Sequence, residues 1–417
     1  MRSILQQATP ERSFWLFSLL AAVAIAGGTP ALPSDTTPQQ TRTHEASAHA
    51  TQIRSAAQPL IMTLNRLVSE SVMIGAQLAL GDDTGIQLRK NFGVNSPGSR
   101  AAVSYDTLFL IGSCSKPVVA TCVMAFAEKS KLDLNKPIGR WLPRYEQLEL
   151  ADGRPAARAP TVRELMAHRA GIFARDETST PRQRRLLTDF TQTLPQLVDA
   201  IADEPLAGEP GVQFAYSNAG YCVLGRVAEL ASGRDLESLL YEELGRHLGW
   251  RRTTYFPSPQ DRDVAQGGSG KDPRQPDLLL PHAMNSQPRL VCVGGCLYST
   301  ATEIGQFARM MLRRGQGPRS TVLSEATWKT ILQPAYAGQD YGLGWYLVCS
   351  QDGKTSMLYH SGIFASARSL IQIHLDRNIF VVLHYTVAAA SPDAGPKAIP
   401  EAVQQMLSLL DRMEEAR

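Results

Sequence analysis

The sequence predicts an α+β fold in which one antiparallel sheet, built from the N- and C-terminal segments and flanked by helices, is interrupted by a mostly helical insertion. Three observations lead there. Two strand-like runs, Ile74–Leu80 and Ile86–Phe92, surround the turn Gly81-Asp82-Asp83-Thr84-Gly85 and read as a β-hairpin. Four more, Tyr341–Val348, Ser356–Tyr359, Ala367–His374 and Ile379–Tyr385, crowd the far end of the chain. Between them, from about Leu132 to Arg314, helical periodicity and long loops dominate.

Taken in order, residues 1–31 have the pattern of an export signal. Arg2 and Arg12 precede the apolar run Phe14–Ala26, and Ala24-Ile25-Ala26 or Thr29-Pro30-Ala31 offers a small-residue cleavage point. That run falls short of the roughly 20 apolar residues that span a bilayer comfortably. The expectation is a periplasmic or secreted protein with no stable membrane insertion once the signal is removed, although the residues leave open whether the segment is cleaved or kept as an anchor. Residues 32–57 mix Pro, Ser, Thr, Gln, His and Ala with little aliphatic periodicity and read as a flexible linker, its His44 and His49 as solvated tail residues.

The expected catalytic domain covers residues 58–415, with a sheet part at 58–115 plus 335–415 and a helical part at 116–334. Leu60, Leu64, Leu67 and Val68 mark an amphipathic helix at its start, and Pro117–Lys129 reads as a buried helix rich in Val, Ala and Met. Thr161, with Glu164 three residues on, forms a capping box. Gly220–Leu230, Leu236–Leu248 and Ala301–Arg313 continue the helices, and residues 257–290, rich in Pro, Gly, Gln and Asp, read as a surface loop. Asp376-Arg377-Asn378 turns between the last two strands, and Ile399–Leu410 closes the chain as an amphipathic helix.

Composition narrows the function classes. Hydrophobic content of 43% and charged content of 19% are those of ordinary globular material. A net charge of +3, without a basic patch interleaved with aromatic residues, argues against nucleic acid as a partner. The Arg182–Arg185 cluster reads as a solvated helix face. Six cysteines are too scattered for a disulfide scaffold, and Cys292-x-x-x-Cys296 lacks a second pair at zinc spacing, so no metal is expected.

The chemistry centres on Ile111-Gly112-Ser113-Cys114-Ser115-Lys116, where a strand-like run meets a small-residue turn and a helix begins. Residues i and i+3 share a helix face, so Ser113 and Lys116 can bring hydroxyl and amine together, and an amine beside a serine can act as its base. Cys114 lies one step off that face and reads as a packed thiol. Tyr216 and Asn218, two apart in an extended segment before a helix, can face one cleft or, in the plainer reading, mark a capped helix start with Tyr216 packing locally. Tyr359-His360-Ser361-Gly362 closes a strand; Gly362 allows close backbone approach, and His360 offers a positive or hydrogen-bonding group or, in the plainer reading, an exposed turn histidine.

Ser113-x-x-Lys116, Tyr216-x-Asn218 and His360-Ser361-Gly362, in that order, resemble the serine β-lactamase and penicillin-binding-protein superfamily, in its class C β-lactamase-related branch. Arg163–Ile172, Glu209-Pro210-Gly211, Gly294–Thr300 and Tyr341–Trp345 are similar to further landmarks of that family, so the resemblance runs from about residue 60 to 415. It implies a β-lactamase/transpeptidase-like fold and a serine hydrolase working through an acyl-enzyme on an amide, peptide or ester, without metal or organic cofactor. By the same resemblance Ser113 is the nucleophile and Lys116 keeps it deprotonatable. Tyr216, helped by Lys116, is the general base and later protonates the leaving group. Asn218, His360, Ser361 and Gly362 contact the substrate, the backbone N–H groups of Ser113 and Ile363 form the oxyanion hole, and His168 has a structural hydrogen-bonding role.

The third motif departs from the Lys-Thr-Gly usual in β-lactamases of this branch. His360 stands where a lysine would attract a drug's carboxylate, and histidine is mostly neutral near pH 7. His-x-Gly is similar to what some D-Ala-D-Ala peptidases, D-aminopeptidases and esterases of the family carry. The residues do not choose among these substrates, which are small molecules or peptides. A catalytically idle relative acting as a binding or scaffold protein is the alternative from another function class.

Overall fold

The computed structural model describes residues 48–416, except 131, 175–177, 270–288, 290 and 390–395. The expected signal and the linker through residue 47 lie outside the described residues, as does most of the predicted 257–290 loop. The last part of that linker is helical instead: residues 48–56 form helix α1. Sparse as its apolar residues are, Ile53, Ala56 and Ala57 are fully buried. Gln52 donates to the Met413 carbonyl at 2.9 Å, and His49 lies 3.4 Å from the Glu414 carboxylate, so this helix is docked on the C-terminal one rather than solvated.

Helix α2 (Gln58–Ser69) leads into β1 (Met73–Gly81) and β2 (Ile86–Gly93), the predicted hairpin. The chain then crosses to β3 (Phe109–Leu110), a 3-10 turn at Gly112–Cys114 and α3 (Ser115–Lys129). The helical middle follows, as α4 (Val162–Met166), α5 (Pro181–Leu186), α6 (Leu194–Ile201), α7 (Asn218–Ser232), α8 (Leu236–Leu240) and α9 (Arg246–Leu248). Then come β4 (Tyr298–Ser299), α10 (Ala301–Leu312), α11 (Glu325–Ile331), β5 (Tyr346–Cys349), β6 (Thr355–Phe364), β7 (Ala367–His374), β8 (Ile379–Val387) and α12 (Ala398–Glu415).

Six strands form one antiparallel sheet in the order β2-β1-β8-β7-β6-β5, so the two ends of the chain meet where β1 pairs with β8, as predicted. Every residue of β7 and β8 is buried, which requires cover on both faces. Helix α2 packs on β1, β2 and α12, while α10 lies along β8 and β1. At Gly305 of α10 a side-chain carbon would sit only 3.2–3.5 Å from Ile86, Phe380 and Ala79. Among the described residues, no helix is long and apolar enough to cross a membrane.

Helix α3 is the axis of the helical part. Its first twelve residues, Ser115–Phe126, are all buried, which fits a central helix that is apolar all round rather than amphipathic. The Thr161 capping box starts α4 as predicted: Thr161 Oγ1 accepts from the Glu164 N–H and Glu164 accepts from the Thr161 N–H. The helix expected over Leu236–Leu248 widens into a π-helical turn at Tyr241–Gly245. The Arg182–Arg185 cluster sits on α5, with Arg182 paired to Glu204 at 2.9 Å.

Three predicted strands change extent. The run Thr107–Ile111 contributes only Phe109 and Leu110, paired with β4 outside the main sheet, because Gly112 (φ +51°) turns the chain out of extended geometry. Tyr341–Val348 is strand only from Tyr346; Gly344 at φ +88° folds the preceding residues into a tight turn that buries Trp345 against Phe307. Conversely, β6 does not end at Tyr359. It runs through His360-Ser361-Gly362 to Phe364, where Ala365 (φ +48°) makes the turn.

Candidate active site

Ser113 is set by the short turn that precedes α3. Ser115 Oγ donates to the Gly112 carbonyl at 2.6 Å, closing the turn, and the Leu297 N–H donates to the same hydroxyl at 3.3 Å. Ser113 is left half-buried, and Lys116 follows on the same face, as its spacing predicts. The Lys116 side chain is fully buried. Its ammonium donates to Ser113 Oγ at 3.1 Å, to Asn218 Oδ1 at 2.7 Å and to the Gly294 carbonyl at 2.8 Å. A buried ammonium requires such acceptors, since desolvation without them costs several kcal/mol.

Strand β6 presses against this turn. A side-chain carbon at Gly362 would stand 2.1 Å from the Ile111 carbonyl, and one at Gly112 would stand 2.8 Å from the Ile363 nitrogen, so two glycines make the approach. Ser369 Oγ on β7 donates to the same Ile111 carbonyl at 2.5 Å, and the Cys114 thiol donates to the His360 carbonyl at 3.3 Å. The Ser113 backbone and the Ile363 N–H are thereby neighbours. Pairing between β5 and β6 stops at Tyr346 and Tyr359, so residues 360–364 run past the end of the β5 ladder beside Ser113.

The segment Ala215–Asn218 supplies the third wall. Ser217 caps α7, its hydroxyl accepting from the Gly220 N–H at 2.9 Å and donating to the Phe173 carbonyl at 2.7 Å. Tyr216 and Asn218 both reach Lys116, as the i, i+2 argument expects. Asn218 does so through its hydrogen bond, and Tyr216 with its ring centroid 4.5 Å from the ammonium. The Tyr216 and His360 rings lie 6.4 Å apart.

The exposed-turn reading of His360 is corrected, while its neutrality agrees with expectation: it is 1% exposed, inside β6, with Nδ1 2.7 Å from the Ser361 carbonyl and Nε2 3.4 Å from the Tyr341 hydroxyl. Burial, and then the charge of Lys116, push its pKa down to about 3, so it is neutral at any ordinary pH. Ser361, next along the strand, is the exposed member of the motif. Cys114 is buried, with burial raising its pKa to about 12, in keeping with a packed thiol. His168 is buried and accepts from the Ser217 N–H through Nδ1 at 3.0 Å, the hydrogen-bonding role expected of it. Burial first, then Lys116 and His360, hold it well below the usual histidine range.

Two features escaped the sequence reading. The Gly294 carbonyl, an acceptor for Lys116, is a backbone atom, so residue type does not reveal it. The second is an aromatic wall joining Tyr341, Tyr346 and Tyr359 to His360: Tyr341 meets Tyr346 edge-on at 4.7 Å and Tyr346 stacks on Tyr359 at 5.2 Å. The tyrosines are plain in the sequence, but only the turn at Gly344 brings Tyr341 back over Tyr346.

A family model described as Beta-lactamase matches residues 62–404. Penicillin-binding protein 4 of Amycolatopsis lactamdurans is 28% identical over 61% of this chain and 66% of its own. The D-alanyl-D-alanine-carboxypeptidase/endopeptidase AmpH of Escherichia coli K12 is 23% identical over 66% and 69%. The chain spans from just over half to about two thirds of the length of the first curated relatives it matches. Among solved structures, EstCE1, described as a hydrolase with promiscuous acyltransferase activity, superposes with a TM-score of 0.68 over 86% of this chain and 99% of its own, at 20% identity.

Proposed function

Because the chain belongs to the beta-lactamase family, we propose that it is a serine hydrolase that forms an acyl-enzyme on Ser113 and acts on ester, amide or peptide substrates whose recognition does not require a carboxylate. The observation that carries the reading is the contact set of Lys116, whose ammonium holds Ser113 Oγ and Asn218 Oδ1 and lies against the Tyr216 ring.

In this reading Ser113 Oγ attacks the substrate carbonyl carbon while its proton passes to Tyr216, acting as general base beside the Lys116 ammonium. The carbonyl π electrons move onto oxygen, and the oxyanion accepts hydrogen bonds from the Ser113 and Ile363 N–H groups. The intermediate collapses, the bond to the leaving alcohol or amine breaks, and Tyr216 returns the proton to it. Water then attacks the ester on Ser113 by the same route, restoring the hydroxyl. Asn218 orients the substrate from the α7 side, and Ser361 and Gly362 line the β6 side.

The neutral His360 supports the substrate preference. A ring buried beside Lys116 adds no second positive charge to the cleft, so a free carboxylate on the substrate gains nothing at this position. Export to the periplasm or beyond belongs to the same proposal, supported by the charge and apolar pattern of residues 1–31.

The test is a panel of p-nitrophenyl butyrate, a D-Ala-D-Ala peptide and nitrocefin, run on wild type and Ser113→Ala. The expected result is turnover of the uncharged ester exceeding that of nitrocefin, an acyl adduct on Ser113 by mass spectrometry, and loss of both in the variant. Equal turnover by Ser113→Ala, or no adduct and no turnover of any substrate by the wild type, overturns the assignment; the second result favours a binding or scaffold role.

A further inference from the structure

His168 grips the chain on both sides of Tyr216. Its carbonyl accepts the Ala215 N–H at 2.8 Å, and its Nδ1 accepts the Ser217 N–H at 3.0 Å. Both residues that flank the phenol therefore hang on one residue. His168 has φ +58°, as the left-handed residue that ends α4, where its own N–H donates to the Leu165 carbonyl at 3.4 Å and the Arg169 N–H to the Glu164 carbonyl at 2.8 Å.

The ring also touches the phenol itself. Its centroid lies 4.2 Å from that of Tyr216, with 35° between the planes. Tyr221 at 5.1 Å, Tyr341 at 4.9 Å and Phe214 at 5.8 Å close in around it. With Nδ1 accepting from a backbone N–H, the neutral ring carries its proton on Nε2. That Nε2 finds no hydrogen-bond partner among the described residues. A residue present only to fill this space would do better as phenylalanine, since burying a polar atom without a partner is unfavourable. The helix end accounts for the backbone, a place that glycine or asparagine fills more easily; a histidine there carries an unsatisfied donor, and what its ring adds is the Nδ1 bond to Ser217 and the contact with Tyr216.

We propose that His168 is the positioning residue of Tyr216, fixing the height of the phenol through Ser217 and its tilt through the ring contact. This rests on the reading of Tyr216 as the general base. A proton-transferring phenol must meet both Ser113 Oγ and the Lys116 ammonium, and misplacement of about 1 Å is enough to lower such a rate about a hundredfold. The two contacts can be removed separately. His168→Phe keeps a ring and loses the acceptor. His168→Asn keeps an acceptor and tolerates the left-handed backbone, but loses the ring contact.

Steady-state kinetics on p-nitrophenyl butyrate, with melting temperatures as a fold check, test the proposal. The expected result is a kcat about a hundredfold lower for His168→Phe and about tenfold lower for His168→Asn, with KM unchanged within about twofold in each. In a Tyr216→Phe background, adding His168→Asn should change kcat by less than about twofold, because the group being positioned is gone. A folded His168→Asn with wild-type kcat, or a tenfold loss that persists in the Tyr216→Phe background, overturns the proposal; this variant carries the test alone if His168→Phe does not fold. Failure of the underlying reading looks different: Tyr216→Phe itself would keep wild-type kcat while Ser113→Ala lost it.

Discussion

Gly362 and Ile111 meet more closely than two side-chain-bearing residues can, with 2.1 Å between the Ile111 carbonyl oxygen and the position a first side-chain carbon at Gly362 would take. The same carbon would come within 2.3 Å of Ser369 Oγ, so neither a backbone nor a hydrogen-bonded hydroxyl leaves it room. Gly362→Ala must push β6 away from the Ser113 turn. The expected cost is about 1–3 kcal/mol of stability, the usual range for overpacking, and a kcat lower by about tenfold or more as the two backbone N–H groups separate. Thermal melting and ester turnover of the purified variant check both; wild-type values of each would mean that the turn and strand are not held by this contact.

Acid should unfold the protein through its buried histidines. His360 and His384 are pushed down to about 3 and His374 to about 4, in every case mainly by burial; Lys116 adds to the effect at His360 and Arg377 at His374. In the unfolded chain these rings regain an ordinary pKa near 6.5. Above that value both states are neutral and the full stability is present. Below it the unfolded state binds protons that the folded state refuses, so stability falls as pH drops from about 6.5 towards 4, at up to about 5 kcal/mol per pH unit for these three together with His168, which burial holds down likewise. Urea unfolding measured between pH 7 and 4 should show this slope, and His384→Phe should lower it by about one quarter. An identical slope in the variant would remove His384 from the account.

The thiols offer a cheaper check on the fold. Of six cysteines, Cys349 on β5 is exposed and the other five are buried. Burial raises the pKa of Cys114 to about 12, so this neighbour of Ser113 is a poor thiolate as well as an inaccessible one. Titration with a thiol reagent should therefore modify one cysteine quickly in the native protein, identified as Cys349 by peptide mapping, and six in urea. Rapid native modification of Cys114 would contradict the packing of the Ser113 turn against β6.

The sequence displayed the parts of this site better than it displayed their surroundings. The Ser113–Lys116 face, the i, i+2 relation of Tyr216 and Asn218, the hairpin and the Thr161 cap are local relations, set by helix and strand periods that residue type reveals. What escaped is long-range or conformational. The Gly294 acceptor is a backbone oxygen 178 positions from Lys116. The burial of His360 depends on β6 continuing past Tyr359 beneath the aromatic wall, whereas the glycine after it read as a turn. The helix at 48–56 was masked by its composition, because its few apolar residues are stabilised by α12, more than 300 positions later.

The pairing of β1 with β8 has a consequence for how the molecule comes to exist. Gln77 and His384 sit opposite one another in the sheet, so the first hairpin is synthesised about 300 residues before the strand that completes it, a separation that slows folding through the entropy of closing so large a loop. Until β8 arrives, β1 presents an unpaired edge lined with apolar side chains, the kind of surface that recruits the wrong partner. The Ser113 turn shares that delay, because the strand beside it, β6, also follows the helical middle. Ser113 is made early, and the surroundings proposed to make it a nucleophile close around it only after β6 has been made, some 246 positions later.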